Sequence, residues 1–192
     1  LGRNLVFGED VEADIERGGG RADEIHQRAA AVVAAIGAAV AAMAEAALTD
    51  LGEIHALVNN AGVADFGPID DCSFETWRRV MATNLDGVFL CSQALAPALK
   101  AAKGAVVNIA SIEAHQPAAG HAHYAAAKAG LVMATRAAAL ELGPSGIRIN
   151  SVSPGLIDDG RLAERWPWWR SEWERISCFD ASMAVLVRAR MD

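Results

Sequence analysis

The sequence predicts a doubly wound α/β domain, a Rossmann-like parallel sheet in three α/β/α layers. Three observations carry that expectation. Short apolar runs occupy 54–58 (IHALV), 105–110 (AVVNIA) and 147–152 (IRINSV). Longer stretches of helical length separate them, the last of them alanine-rich. Each run breaks into Asn, Ser, Gly or Pro, as buried strands do where they enter loops. Strands alternating with helices imply right-handed βαβ crossovers, and hence a parallel sheet covered on both faces.

The elements follow in chain order. Residues 1–28 are polar and centred on Gly18-Gly19-Gly20. Twelve of the twenty residues in 29–48 are alanine, the strongest helix former, so a helix is predicted through about 40–48. Residues 32–36 fit a short buried strand as well as a helix, and periodicity does not decide between them. The 54–58 strand ends in Asn59-Asn60-Ala61-Gly62. Ser73 reads as a helix N-cap with Thr76 at the third helical position, starting a helix to about Leu99 that Gly87 weakens in its middle. The 105–110 strand closes on Ser111, and a loop with Pro117 and Gly120 follows. A helix over 124–142 ends at Gly143-Pro144 and Gly146. The 147–152 strand stops at Pro154-Gly155. Beyond Ile157, Trp166, Trp168, Trp169 and Trp173 cluster among charged residues, and 182–190 fits a strand or a helix.

Length and composition narrow the function. At 192 residues the chain is one domain. A hydrophobic share of 53% and a charged share of 21% exclude wholesale disorder. A net charge of −7 without a basic patch argues against a nucleic-acid partner. The longest apolar run, 29–44, is too short to span a membrane, and LGRNLVFGED has no signal-peptide layout. Cys72, Cys91 and Cys178 are odd in number and widely spaced, which excludes a disulfide scaffold or a zinc motif and favours a reducing, cytoplasmic setting. His115, His121 and His123 lack the further ligands a metal site needs, so no metal is expected. No G-x-S-x-G elbow supports a hydrolase.

The chemistry-bearing residues are Ser111, Tyr124 and Lys128. Tyr124 and Lys128 are four apart and share one helix face. An ammonium beside a phenol favours phenolate, lowering the tyrosine pKa from about 10 toward neutrality. Such a group can move a proton on or off an alcohol. Ser111 follows a strand, where open α/β sheets bind ligands, and its hydroxyl can bond the same substrate oxygen. Taken alone, Y-x-x-x-K is a common accident of sequence and Ser111 an ordinary turn residue.

These residues occur in an ordered set. Asn59-Asn60-Ala61-Gly62 follows a strand, Asn84 lies within Thr83-Asn84-Leu85, and Ser111 follows VVNIA. Tyr124-Ala-Ala-Ala-Lys128 and Ile149-Asn150-Ser151-Val152-Ser153-Pro154-Gly155 complete it. In order and spacing, from about Leu51 to Pro154, the set resembles the short-chain dehydrogenase/reductase family. The resemblance implies NAD(P)-dependent interconversion of an alcohol and a ketone, with NAD as cofactor and NADP as the alternative. Tyr124 would then be the acid/base and Ser111 would position the carbonyl. Lys128 would tune Tyr124 and bind the nicotinamide ribose, and Asn84 would hold a water between Lys128 and solvent. Asn59, Asn60, Ala61 and Gly62 would line the adenine-ribose side of the cofactor, and Pro154-Gly155 would pass beside the nicotinamide. Glu113, Gln116 and His121, between Ser111 and Tyr124, would touch substrate.

Two further parts of the chain are read against the family. Asp14 is either the acid that selects NAD through ribose hydroxyls or a solvated charge. Residues 156–192 would form a substrate lid, with Trp166 against the substrate, and a C-terminal segment; the tryptophans fit a subunit interface or an amphipathic surface helix equally well. The family's glycine-rich T-G-x-x-x-G-x-G turn has no counterpart, and residues 1–50 diverge from the pattern. The expectation is therefore weak dinucleotide binding. The alternative is the same fold acting as an impaired enzyme or a binding or assembly subunit. The family commonly forms homodimers and homotetramers through the helix before Ser111 and the helix beginning at Tyr124.

Overall fold

The structure, a computed structural model, describes residues 36–155 and the backbone of 185–188. Helix α1 is described over 36–51. Strand β1 spans Ala56–Asn59, and helix α2 spans Phe74–Met81. A π-helical turn, Ala82–Asp86, joins α2 to helix α3, Gly87–Ala102. Strand β2 is Ala105–Ile109, followed by a 3-10 turn, Ile112–Ala114. Helix α4 is Ala122–Leu142, strand β3 is Arg148–Ser153 and strand β4 is Val185–Arg188.

The strand order is β1-β2-β3-β4. The first three strands are parallel, in the register Leu57–Val106–Ile149. β4 pairs antiparallel to β3, so 185–188, within the stretch whose sequence fits a strand or a helix, is a strand and the described sheet carries one antiparallel strand at its edge. The parallel pairings are those the βαβ pattern predicts, because helical connections return each strand in the same direction.

The row Leu57, Val106 and Ile149 packs against Ala44, Ala47 and Leu48 of α1, Leu95 and Leu99 of α3, and Ala138, Ala139 and Leu142 of α4. The alanines let these helices approach the sheet closely. Their burial, with that of Leu99 at 1% exposure, is the main stabilising term, about 25 cal/mol per Å² of apolar surface removed from water. The neighbouring row turns to the opposite face, where Val58 is 58% exposed. Among the described residues the second helical layer is not represented.

Ser73 caps α2 as predicted, its Oγ accepting the Thr76 N–H at 3.1 Å. The single helix expected to about Leu99 is instead α2, the π turn and α3, ending at Ala102. Gly87 does not break it; the irregularity lies just before, where the Gly87 N–H bonds Ala82 O across five residues. Pro97 lies inside α3, between Leu95 and Leu99, which are buried in the core.

Candidate active site

Along the buried rows of the sheet, side chains change from apolar to polar toward the carboxyl ends of the strands. After Leu57, Val106 and Ile149 come Asn59, Asn108 and Ser151, in register and all buried. Asn59 Nδ2 donates to Asn108 Oδ1 at 2.8 Å and to Ser92 Oγ at 3.3 Å. Asn108 Nδ2 donates to Thr135 Oγ1 at 2.9 Å, and Thr135 donates to Leu131 O at 2.7 Å. This ladder ties β1 and β2 to α3 and α4 with its buried amide donors satisfied, as burial of polar groups requires. The Asn59 amide, expected to line a cofactor surface, is thus engaged inside the fold. Asn60, Ala61 and Gly62 form the exposed loop that follows.

Asn84 is fully buried in the π turn. Its Nδ2 donates to Val63 O at 2.7 Å and Val80 O at 3.0 Å, and its Oδ1 accepts the Val63 N–H at 3.2 Å. Both amide donors are therefore held by protein, and the side chain works first as a clamp on the loop after β1. A Cβ on Gly62 would lie 2.7 Å from Asn84 Oδ1 and 3.6 Å from Lys128 Nζ. Only glycine lets the loop backbone come so near both groups. From the other side Gly130 of α4 admits Leu85, whose Cδ2 would lie 3.1 Å from an added Cβ. A glycine inside a helix costs about 1 kcal/mol, a hint in the sequence that close packing is needed there.

Ser111 follows β2 and caps the 3-10 turn, its Oγ accepting the Glu113 N–H at 3.2 Å. Tyr124 lies in the first turn of α4, near enough to Ser111 for the serine side chain to favour its phenolate. Lys128, one turn on, is 4% exposed and donates to Ile109 O at 2.7 Å, with Nζ 5.6 Å from the centre of the Tyr124 ring. The three residues thus meet at the carboxyl ends of parallel strands, as their spacing predicts.

The electrostatics differ from the expectation. Burial pushes the Tyr124 phenol above its usual value, the Ser111 hydrogen bond opposes this, and the Glu113 carboxylate adds to it. Burial pushes Lys128 below its usual value. The predicted lowering of the tyrosine by Lys128 is therefore corrected. Burial is the largest cause, and the Lys128 ammonium is hydrogen-bonded to Ile109 O.

Glu113 and His121 pair at 3.1 Å and are largely enclosed. His115 Nε2 lies 3.2 Å from Ser153 Oγ, and Gln116 is exposed. Pro154 receives the Ile112 N–H on its carbonyl at 2.9 Å, linking the 3-10 turn to the end of β3. Among the described residues, none comes within 4 Å of the place a Cβ on Gly155 would take. Asp14, Trp166 and, apart from the backbone of 185–188, the lid and C-terminal segment expected over 156–192 lie outside the described residues. Sequence reasoning missed Phe66, whose ring stands 5.7 Å from that of His121; a lone aromatic in a loop carries no signal of that contact.

No group of three or more potential metal ligands occurs among the described residues, and no described helix is long and apolar enough to cross a membrane.

The sequence profile of the short chain dehydrogenases matches residues 8–169. The 3-alpha-(or 20-beta)-hydroxysteroid dehydrogenase of Mycobacterium tuberculosis (strain ATCC 25618 / H37Rv) is 43% identical over 117 residues, 60% of this chain and 45% of that protein. The cyclopentanol dehydrogenase of Comamonas testosteroni is 39% identical over 155 residues, 80% of this chain and 60% of that protein. The crystal structure of a short-chain alcohol dehydrogenase from Sinorhizobium meliloti 1021 superposes with a TM-score of 0.67 at 33% identity, covering 72% of this chain and 56% of the other. The chain spans about half the length of the curated relatives it matches. With the profile covering most of the sequence and the Ser111, Tyr124 and Lys128 geometry in place, the chain belongs to the short chain dehydrogenase family.

Proposed function

We propose that this chain carries the active site of a nicotinamide-dependent oxidoreductase interconverting a secondary alcohol and a ketone, with Tyr124 as general acid/base. The observation that carries the reading is the assembly of Ser111, Tyr124 and Lys128 at the end of β2, with the ammonium 5.6 Å from the centre of the Tyr124 ring and bonded to Ile109 O. The relatives named as hydroxysteroid and cyclopentanol dehydrogenases support an alcohol substrate.

The described residues fit the nicotinamide-ribose end of NAD. One of the three Lys128 N–H donors is engaged by Ile109 O, which leaves two for a pair of ribose hydroxyls. The 60–62 loop is exposed, and its backbone stands close to that ammonium at Gly62. Lys128 would hold the ribose, Asn60, Ala61 and Gly62 the adenine-ribose side, and Pro154-Gly155 the nicotinamide edge. NAD, when bound, supplies the hydride acceptor. Asp14 would favour NAD over NADP by repelling a 2′-phosphate.

The chain's own residues handle the proton. In oxidation Tyr124, as phenolate, takes the proton of the substrate hydroxyl while Ser111 bonds the same oxygen. In reduction the protonated phenol gives that proton back to the carbonyl oxygen. Asn84 holds Val63, and with it Gly62, against Lys128; a water linking Lys128 to solvent would use the remaining lone pair of Oδ1. Glu113, Gln116, His121 and Trp166 are the proposed substrate contacts.

We read the protein as a cytoplasmic homodimer or homotetramer. Phe89 of α3 and Met133 and Leu140 of α4 are each 60% exposed or more, apolar area that a two-fold contact would cover. Light scattering at micromolar concentration should give a multiple of the chain mass.

The test of the function is Tyr124→Phe. It removes one hydroxyl and should lower kcat/KM by about 10²–10⁴-fold, the range of general acid/base catalysis, with dinucleotide binding unchanged by fluorescence titration. Unchanged turnover would remove Tyr124 from the mechanism. In the same titration NADH should bind more tightly than NADPH, and Asp14→Ala should reduce the difference.

A further inference from the structure

Ser111, Glu113, His121 and Tyr124 are linked by a chain of contacts. The Glu113 N–H donates to Ser111 Oγ at 3.2 Å. The Glu113 carboxylate meets His121 Nδ1, which lies 3.1 Å from each of its oxygens. The His121 ring stands 6.1 Å from the Tyr124 ring at 63°. The outer side is closed by Phe66, edge-on to His121 at 5.7 Å. Gly120, at φ +79°, has no room for a Cβ, which would meet the Phe66 ring at 2.6 Å. The Gly67 N–H bonds Gly120 O at 3.0 Å, fastening the two loops together.

We propose that Glu113 and His121 form a positioning pair for Tyr124, in which the imidazole pins the carboxylate near the phenol and the carboxylate holds the phenol in its protonated form. The proposal rests on the reading of Tyr124 as the acid/base. A phenolate near a carboxylate in a partly desolvated site is opposed by like-charge repulsion, and Glu113 does push Tyr124 upward, after burial. His121 supplies the N–H that keeps the carboxylate from turning to solvent. With side-chain exposures of 16% and 19%, the pair is screened less than a surface pair.

Among the described residues, His123 beside Tyr124 in α4 is buried with neither ring nitrogen hydrogen-bonded, and the other titratable groups on neighbouring elements have partners of their own. Lys128 of α4 bonds Ile109 O, and His115 of the 3-10 turn faces Ser153. In the loop after β1, Asp65 is paired with Arg79 of α2. The consequence for turnover has a direction. The proton-donating form needed for carbonyl reduction persists to higher pH, and oxidation, which needs phenolate, is displaced upward.

Tyr124 is the chain's single tyrosine, so ultraviolet titration of the full chain reads this phenol without substrate or cofactor. Biosynthetic replacement by 3,5-difluorotyrosine, which ionises at lower pH, allows the same comparison well inside the folded range. Glu113→Gln removes the charge with little change of shape and should move the midpoint to lower pH; Glu113→Met should do the same. His121→Phe keeps an aromatic edge but loses the Nδ1 donor, and should move the midpoint in the same direction by less. His121→Asn, whose Nδ2 can stand in for Nδ1, should restore it. Glu113→Gln combined with His121→Phe should titrate as Glu113→Gln alone, because both act through one carboxylate. An unmoved or raised midpoint in both Glu113 variants overturns the proposal, as does His121→Phe titrating like the unmodified chain. No turnover enters this measurement, so its failure leaves the acid/base reading standing, whereas that reading fails on Tyr124→Phe.

Discussion

The two ends of the same sheet are built from opposite chemistry. At the amino-terminal end of the described strands, Leu57, Val106 and Ile149 form an apolar row under α1, α3 and α4. Two residues further along each strand the row reads Asn59, Asn108 and Ser151, equally buried but polar. The first end stabilises the domain by removing hydrocarbon from water. The second, through Asn59 and Asn108, ties β1 and β2 to each other and to α3 and α4 with hydrogen bonds, each of small net value but costly to leave unmade. Burial alone therefore does not separate structural from functional parts of this molecule. The chemistry of the buried groups does.

Breaking the apolar end should have the largest effect on stability. Leu99→Ala, at a side chain 1% exposed, should cost about 2–5 kcal/mol through lost transfer energy and the cavity left behind. Chemical denaturation measures it, and any protein that remains folded should keep its turnover. Breaking the polar end at Asn108→Ala leaves Asn59 Nδ2 without its Asn108 partner and Thr135 without its donor. The expected loss is about 1–3 kcal/mol. Unlike Leu99→Ala, it should also disturb turnover, because Asn108 lies on β2, the strand that leads into Ser111.

Gly62→Ala sharpens the comparison at the loop itself. The added methyl would stand 2.7 Å from Asn84 Oδ1, so the clamp on Val63 must give way. We expect a stability cost of about 1 kcal/mol, the low end for an overpacked site, with a disproportionate fall in kcat/KM. A variant with normal kinetics would show that the loop can move without consequence to the site.

The smallest stability change has the opposite sign. Lys128 is buried with its pKa depressed by desolvation, so the fold opposes its charge. Because the folded state binds this proton less tightly than the unfolded state, the penalty is full below the depressed folded pKa. It is relieved as pH rises from there toward the unfolded lysine value. Lys128→Met should therefore raise Tm at neutral pH while abolishing turnover, and its advantage should shrink as pH increases. A lower Tm at neutral pH would mean that the bond to Ile109 O outweighs the desolvation. Such a trade of stability for activity is expected where a charge is kept in place for chemistry.

Local signals carried much of the site. The Tyr124 and Lys128 spacing, Ser111 after an apolar run, and Asn59-Asn60-Ala61-Gly62 after another were legible because strand ends and helix faces follow from residue type over a few positions. The Ser73 cap was legible for the same reason. The Glu113–His121 pair was not, since eight residues and an irregular loop separate its members, and Phe66 reaches it from a different loop. Asn84 was visible as a motif residue, but its role as a clamp on Val63 depends on the π turn, which no propensity announces.

By itself, the sequence determined the order of strands and helices, the parallel pairing of β1, β2 and β3, and the meeting of Ser111, Tyr124 and Lys128 at the strand ends. Periodicity and turn chemistry act over short distances, and βαβ handedness propagates them to the sheet. Only the tertiary structure decided the direction of the Tyr124 and Lys128 pKa shifts, the engagement of the Asn59 amide inside the fold, and the antiparallel placement of Val185–Arg188. Desolvation and hydrogen-bond satisfaction depend on which distant groups surround an atom, and that is known only once the chain has packed.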